Sequence, residues 1–426
     1  MRVSCVVGLV VCIWTTADAQ SNASQGLTIH QAVEEALRNN LHLVAERYKV
    51  SVAEAELITA RLRPNPVLSL GADHGDLLGT GFDDVNNAGP PEYFVRTDFV
   101  IERGGKRKHR IAVAEHAKSI AELQVLDATR KLIIDVEHAA LDVLAAKSIL
   151  ALAEENLESI NSVVNLNVLR VRAGDLSEGE LLRTRLAALQ FRNQVLERQS
   201  ELRLARNRLQ LLLGRSPGAP SVDVIGDFRR EQLGPSIEEL EQRALDLHPS
   251  IRGLRNEQAR SIYDLRLQLA TGKVDYTVGV EYRRQQGNAG KGNSLGFFFS
   301  MPLPVFNRNQ GDVARAQREQ QQIDAEIRAL ETEIQSEVRS AYEQHVTARE
   351  LLETVEGDLL KQAREVRGIT EYSYRRGEAS LLEFLDAQRA FNETMETYYE
   401  ARAAYARSLY SIEAATGEAI TGKVQP

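Results

Sequence analysis

The sequence predicts a mainly α-helical protein with a small β part, built as two copies of one plan. Three observations predict it: motifs that recur about 200 residues apart, two very long stretches with almost no helix-breaking residues, and four short segments of alternating polarity. Charged residues make up 26% of the 426 residues and the net charge is -8. This balance disfavours a nucleic-acid partner, which requires a basic patch.

The N-terminus has the pattern of an export signal. A positive charge and an apolar run precede a small-x-small cleavage site at residues 17–19. The rival interpretation is a lipoprotein attached through Cys12, but Val11 stands where a small residue is expected before that cysteine. The sequence favours a cleaved signal over residues 1–19. The mature chain would begin at Gln20 and contain no cysteine, and therefore no disulfide or thiolate metal site.

The two copies are clearest at a pair of glycine turns. Residues 172–177 read Arg-Ala-Gly-Asp-Leu-Ser and residues 375–380 read Arg-Arg-Gly-Glu-Ala-Ser, so Gly174 and Gly377 lie 203 residues apart. Each copy is expected to run helix, two strands, very long helix, tight turn, helix. The expected domains are a first repeat over 20–214, a proline- and glycine-rich linker over 215–235, a second repeat over 236–418 and a tail over 419–426.

Two stretches are expected to form very long helices. Residues 106–173 contain no glycine or proline, so a helix of that span would be about 100 Å long. Residues 312–376 contain no proline and only two glycines, Gly357 and Gly368. We expect the helix to bend or loosen at these glycines, because glycine costs about 1 kcal/mol relative to alanine in a helix interior. Apolar residues recur here at steps of three or four, which is the spacing of a coiled-coil seam that needs partner helices. This seam comprises Ile323, Ile327, Leu330, Ile334, Val338, Ala341, His345, Ala348, Leu352, Val355 and Leu359.

Four segments have the period-two alternation of β-strands, at residues 67–74, 93–102, 274–283 and 295–301. Four strands cannot close a barrel, and an open edge in lipid leaves backbone groups unpaired at several kcal/mol each. Several identical chains would therefore have to complete one pore, and two, three or four copies all satisfy this argument. The alternative is a small soluble sheet packed against the protein's own helices.

With these features, nearly the whole mature chain resembles the TolC-type outer membrane factors of tripartite efflux pumps. Residues 101–107 (Ile-Glu-Arg-Gly-Gly-Lys-Arg) and 301–311 (Met-Pro-Leu-Pro-Val-Phe-Asn-Arg-Asn-Gln-Gly) are most similar to the outer-membrane subunits of cobalt–zinc–cadmium efflux systems. The resemblance implies a homotrimer, with a twelve-stranded β-barrel in outer-membrane lipid and a helical tunnel, or α-barrel, in the periplasm. It also implies two protein partners, a periplasmic adaptor and an inner-membrane pump of the resistance–nodulation–division class.

The resemblance further implies that the two glycine turns meet the adaptor at the far end of the tunnel. A glycine suits the left-handed conformation that ends a helix, and each serine can cap the next helix together with a glutamate three residues on, in a capping box. A helical hairpin needs the same chemistry without a partner, so both interpretations stand. The adaptor-contacting positions are Arg172, Gly174, Asp175, Ser177, Arg375, Arg376, Gly377 and Ser380.

A closed periplasmic gate beside these turns is also implied by the resemblance. Alignment on the turn glycines puts the family's acidic gate positions on Glu180, Glu383 and Asp386 and its tyrosine on Tyr374. An arginine of that network in some family members falls on Ala379 here, and Arg375 or Arg376 could take its place. Three copies of a carboxylate in a narrow pore form a ring that favours cations and raises the pKa of each member. The alternative is that Glu180 and Glu383 only cap their helices, and this role is compatible with the gate role.

The sequence predicts a transporter rather than an enzyme. It contains no P-loop or H-E-x-x-H motif, and no cofactor or metal site is expected. Of its eight scattered histidines, His345 lies on the apolar seam and is expected in the core. The expected function is the outer-membrane exit channel of a tripartite pump that exports heavy-metal cations. The alternatives are the same channel for drugs or type I polypeptide secretion, and, from another class, a periplasmic coiled-coil tether without a pore.

Overall fold

The computed structural model describes residues 26–73, 92–287 and 290–418, so the predicted signal segment and tail lie outside the described residues. The predicted plan occurs twice, with one difference: two helices instead of one precede the strands of each repeat. Among the described helices, none combines the length and apolar character that a membrane-spanning helix requires. The elements are α1 (Ile29–Asn39), α2 (Leu41–Arg61), β1 (Val67–Asp73), β2 (Glu92–Ile101), α3 (Lys106–Ala173), α4 (Glu178–Leu212), α5 (Ile237–Leu247), α6 (Pro249–Thr271), β3 (Tyr276–Gly287), β4 (Gly290–Ser300), α7 (Gln310–Thr354), a π-helical turn (Val355–Leu359), α8 (Leu360–Arg376) and α9 (Leu381–Thr416).

Two long helical hairpins form the bulk of the fold. The first consists of α3 and α4, and the second of α7, α8 and α9; α3 also packs against α9 and so joins the hairpins. Helix α3 is unbroken over 68 residues, which confirms the long helix expected there. The largest apolar core lies where α1, α3, α4, α9 and the segment after α4 meet, around the fully buried Ile133, Leu141 and Leu209.

The short first helix of each repeat ends at a polar residue that caps the following helix. The Asn40 side-chain oxygen accepts a hydrogen bond from the Leu43 amide at 3.0 Å, and His248 Nδ1 accepts one from the Ser250 amide at 3.2 Å. Burial and the nearby positive charge of Arg130 lower the pKa of His248 to about 4. The imidazole is therefore neutral at physiological pH, as an accepting cap requires.

The predicted seam of the second hairpin is buried along α7 but changes register at the π-helical turn. Ile334 and Val338 are each 1% exposed, whereas Leu359 is 44% exposed. A π-helical turn inserts one extra residue and rotates the helix that continues from it. Leu360 consequently takes the packing position, against the cluster that contains Phe391, and the assignment of Leu359 to the seam was wrong. The turn surrounds Gly357, one of the two glycines where loosening was expected.

The four strands form one antiparallel sheet in the order β1-β2-β3-β4, in which β2 and β3 join the two repeats. Residues opposite each other across the sheet share a face, as Leu70, Val95 and Tyr282 do. One face, here called the apolar face, is 37 to 78% exposed at its large side chains, except at Tyr276, which is half-buried. The main contacts of the strands are with one another rather than with helices. The apolar face comprises Leu68, Leu70, Tyr93, Val95, Phe99, Ile101, Val278, Val280, Tyr282, Leu295, Phe297 and Phe299.

A glycine at the end of α4 generates a prediction about stability. Gly214 has φ of 72°, and a Cβ added to it would overlap the Asn39 carbonyl oxygen. Gly214→Ala should lower the free energy of unfolding by about 2 kcal/mol, because it adds left-handed strain to a steric overlap. Thermal unfolding in detergent, followed by circular dichroism, measures the effect.

The matched control is Gly218→Ala, four residues further along the chain, where an added Cβ has open space. Its melting temperature should equal or slightly exceed that of the wild type. Equal destabilisation by both substitutions would contradict the proposed contact between the end of α4 and the junction of α1 with α2.

Candidate functional site

The two predicted turns have the same backbone geometry. Gly174 and Gly377 adopt φ of 82° and 83°, which confirms the left-handed conformation expected at the helix ends. The following amides, of Asp175 and Glu378, donate to carbonyls five residues back at 2.8 and 2.9 Å. This is the hydrogen-bond pattern that ends a helix at a glycine. All eight predicted adaptor-contacting residues are exposed, so the chain presents both turns together as an accessible end of its hairpins.

The helices after the turns are capped differently. Ser380 and Glu383 form the complete capping box that was predicted: the Ser380 hydroxyl accepts from the Glu383 amide, and the Glu383 carboxylate accepts from the Ser380 amide at 2.6 Å. Hydrogen bonds from the Ser380 amide and hydroxyl hold the pKa of Glu383 below its usual range. Ser177 accepts from the Glu180 amide at 3.2 Å, but the Glu180 side chain makes no return bond to it, so the second predicted box is only half formed.

The four predicted gate residues do not form one cluster. Tyr374 is 3% exposed, and its ring stacks on Phe384 with centroids 5.4 Å apart. Glu383 and Asp386 are exposed on the first turns of α9, and Glu180 is half-buried on α4. Within the part of the chain that the structure describes, no basic side chain lies within 4.0 Å of these three carboxylates.

A buried polar layer joins the two hairpins beside the turns, and sequence reasoning missed it. Asn167, which is fully buried on α3, donates through Nδ2 to the hydroxyls of Tyr374 at 2.6 Å and Thr184 at 2.9 Å. One turn further on, Arg170 donates to the carbonyls of Tyr374 and Arg375 at 3.2 and 2.7 Å. The only signal in the sequence was that polar residues interrupt an apolar pattern, which does not identify partners some 200 residues away.

The arginines expected to replace the missing gate arginine are engaged elsewhere. Arg375 pairs with Glu371 on its own helix at 2.9 Å and donates to the Ser162 hydroxyl on α3 at 3.0 Å. Arg376 lies 3.9 Å from Glu378. Among the described residues, neither arginine pairs with a gate carboxylate.

The described histidine and carboxylate side chains form no metal centre. Over residues 26–73, 92–287 and 290–418, no group of three or more His, Cys, Asp or Glu residues could hold a metal ion. His345 is 2% exposed and its Nδ1 lies 2.9 Å from the Ser408 hydroxyl. The expectation of a core histidine is confirmed.

Comparison with known proteins finds matches over most of the chain. A family model described as outer membrane efflux protein matches residues 32–215 and 236–418. The cobalt-zinc-cadmium resistance protein CzcC of Cupriavidus metallidurans is 25% identical over 385 residues, which cover 90% of this chain and 86% of CzcC. The cation efflux system protein CusC of Escherichia coli K12 is 24% identical over 407 residues, covering 89% and 84% of the two chains.

Solved structures have the same fold. A structure of CusC superposes with a TM-score of 0.75 at 20% identity, covering 93% of this chain and 95% of CusC. The CmeC outer membrane channel of Campylobacter jejuni gives a TM-score of 0.78 at 14% identity, covering 97% and 94%. These matches confirm the predicted architecture of long helical hairpins and four strands.

The complete capping box generates a prediction about pH. Because the folded pKa of Glu383 is lowered, its stabilising effect is present above the ordinary value of 4.5 and is lost as the pH falls through the folded value. The start of α9 should therefore loosen below pH 4.5. Hydrogen exchange of the peptide that spans the second turn, corrected for intrinsic rates, measures this change.

Glu383→Gln provides the control, because a glutamine can accept the same hydrogen bond without titrating. In this variant the corrected exchange of the second turn should not depend on pH over the same range. If wild type and variant lose protection together, the pH response comes from another group.

Proposed function

Since the chain belongs to the outer membrane efflux protein family, we propose that three copies form the outer-membrane exit duct of a tripartite pump for heavy-metal cations. The proposed duct consists of a shared β-barrel in the lipid and a helical tunnel in the periplasm. Its proposed partners are a periplasmic adaptor and a proton-driven inner-membrane pump of the resistance–nodulation–division class.

The exposure of the two sheet faces is the observation that carries this proposal. In a water-soluble sheet, large apolar side chains are covered and charged ones face the solvent. Here the relation is reversed: Phe297 is 78% exposed on the apolar face, while Glu281 on the opposite face is 6% exposed. Lipid on the apolar face resolves this inversion, and the alternative of a sheet packed on the protein's own helices has no support in these contacts.

The sheet edges give the reason for several copies. In one chain, β1 and β4 each pair on one side only. Lipid supplies no hydrogen-bond partners, so each edge must meet another strand. Pairing β4 of one copy with β1 of the next closes the sheet into a ring, and three copies, as the family resemblance implies, give twelve strands.

Unpartnered apolar rows on the helices support the same assembly. On α4, leucines spaced by three, four or seven residues are 56 to 62% exposed: Leu182, Leu186, Leu189 and Leu196. On α8, Val366, Ile369 and Tyr372 are 52 to 61% exposed. Because α4 and α8 lie in different hairpins of one chain, we infer that α4 packs against the second hairpin of a neighbouring copy and closes the tunnel wall.

The glycine turns are the proposed end of the tunnel that meets the adaptor. Both turns are exposed, and one buried polar layer joins the two hairpins beside them. These two features support a paired docking surface. Glu180, Glu383 and Asp386 are the proposed gate carboxylates, with Tyr374 as a packed support. Heavy-metal cargo is supported by the likeness to a cobalt-zinc-cadmium resistance protein and a cation efflux protein.

A pair of substitutions on β4 tests which face meets lipid. Phe297→Arg puts a charge on the apolar face, where it should cost about 2 to 4 kcal/mol at the membrane midplane. The amount of trimer in the outer-membrane fraction should fall severalfold. Ser294→Arg adds the same side chain to the other face of the same strand and should leave that amount nearly unchanged. Equal loss in both variants, or a soluble monomeric wild type, would contradict the barrel.

The cargo is tested in a deletion strain. Loss of the gene should increase sensitivity to cobalt, zinc or cadmium salts, and the wild-type gene should restore resistance. Parallel drug-sensitivity assays provide the comparison. Increased drug sensitivity with normal metal tolerance would assign the channel to drug efflux instead.

A further inference from the structure

Two arginines of the sheet lie along its surface instead of projecting from it. They occupy the face opposite the apolar face, here called the polar face, whereas Arg284 is exposed on the apolar face. Its two arginines, Arg96 and Arg283, have side chains only 27 and 23% exposed, although none of the described helices covers this face. The face comprises Val67, Ser69, Gly71, Asp73, Glu92, Phe94, Arg96, Asp98, Val100, Thr277, Gly279, Glu281, Arg283, Gln285, Gly292, Ser294, Gly296, Phe298 and Ser300.

Arg283 is held by three carboxylates and one aromatic ring. Its Nη1 lies 2.9 Å from Asp73 on β1 and 3.0 Å from Glu92 on β2, and its Nε lies 2.9 Å from Glu281 on its own strand. The guanidinium carbon sits 4.9 Å from the centre of the Phe94 ring. Such a combination of ion pairs and cation–π contact fixes the side chain against the sheet.

Arg96 is held in the same manner by different residues. Its Nε and Nη2 both donate to one oxygen of Asp98, at 3.0 and 2.9 Å. Its guanidinium carbon lies 4.1 Å from the centre of the Phe298 ring on β4. Two independent clamps of one design therefore span all four strands.

Glycines provide the space in which these side chains lie flat. A Cβ added at Gly279 would overlap the Asp98 carboxylate, and one at Gly71 would overlap the Phe94 ring. A Cβ at Gly296 would stand 3.0 Å from the Phe298 ring. Glycine in a strand often marks such a close approach.

We propose that Phe94, Phe298 and these glycines are positioning residues that hold both arginines against the wall of the duct, and so set its bore and its preference for cations. This inference rests on the proposed barrel, in which the polar face lines the lumen. Clamped arginines are neutralised at the wall, and the four carboxylates of the face outnumber the two guanidiniums. A released arginine would extend into the lumen as a positive charge, repeated in each of three copies, and would repel cations.

Reversal potentials across planar bilayers test the proposal, with the purified trimer in a potassium chloride gradient. Gly279→Ala displaces Asp98 and so releases Arg96, and Phe298→Leu removes the ring beneath it. Each should lower the potassium-to-chloride permeability ratio about twofold or more and reduce conductance. The controls are Gly292→Ala, on the same face with open space for the added methyl group, and Phe298→Tyr, which keeps the ring; both should match the wild type.

The outcomes separate this inference from the proposed function. Wild-type ratios in both Gly279→Ala and Phe298→Leu would overturn the inference and leave the channel in place. A wild-type protein that is monomeric and soluble without detergent would overturn the channel itself. If Gly279→Ala fails to form trimers, the comparison of Phe298→Leu with Phe298→Tyr decides alone.

Discussion

The need to pair every backbone amide and carbonyl in lipid is the constraint on which this structure depends. A closed sheet is the only β-structure that meets it, and one chain supplies four strands with two open edges. The apolar face, 37 to 78% exposed in a single chain, needs the same environment. One chain meets neither requirement by folding alone, so in the proposed duct the sheet is completed by assembly.

The helices of one chain also leave apolar side chains without a partner, as the sheet does. This shared need links the helical part of the molecule to the sheet. Each long helix has one apolar seam packed inside its own chain, and α4 carries a second row of leucines with no partner among the described elements. In the proposed duct, the copies that close the sheet also supply the helices that continue from its strands, so the helical wall must have the same symmetry as the barrel. Strand pairing and helix packing therefore impose one stoichiometry, and neither could change it independently of the other.

The spacing of apolar residues was sufficient to predict the long helices and the four strands, because buried seams and two-sided strands leave a direct signal in the order of residues. It failed where one added residue changes the register, as at the π-helical turn that buries Leu360 in place of Leu359. It also could not foresee the Asn167 and Arg170 contacts, since these depend on which hairpins meet in space. The gate and adaptor positions remain predictions, because their partners belong to other chains.

The buried polar layer at the turns aligns the hairpins more than it holds them together. Asn167 donates two hydrogen bonds, but its Oδ1 has no hydrogen-bond partner among the described residues. Each bond contributes about 0.5 to 1.5 kcal/mol, whereas an unsatisfied buried oxygen costs about 1 to 3 kcal/mol. The layer therefore specifies how the hairpins align without adding much to their adhesion. Adhesion comes instead from the apolar cluster beside the layer, where Tyr374 packs with Val163 and Phe384, so the polar layer sets the alignment of the hairpins and the apolar cluster holds them together.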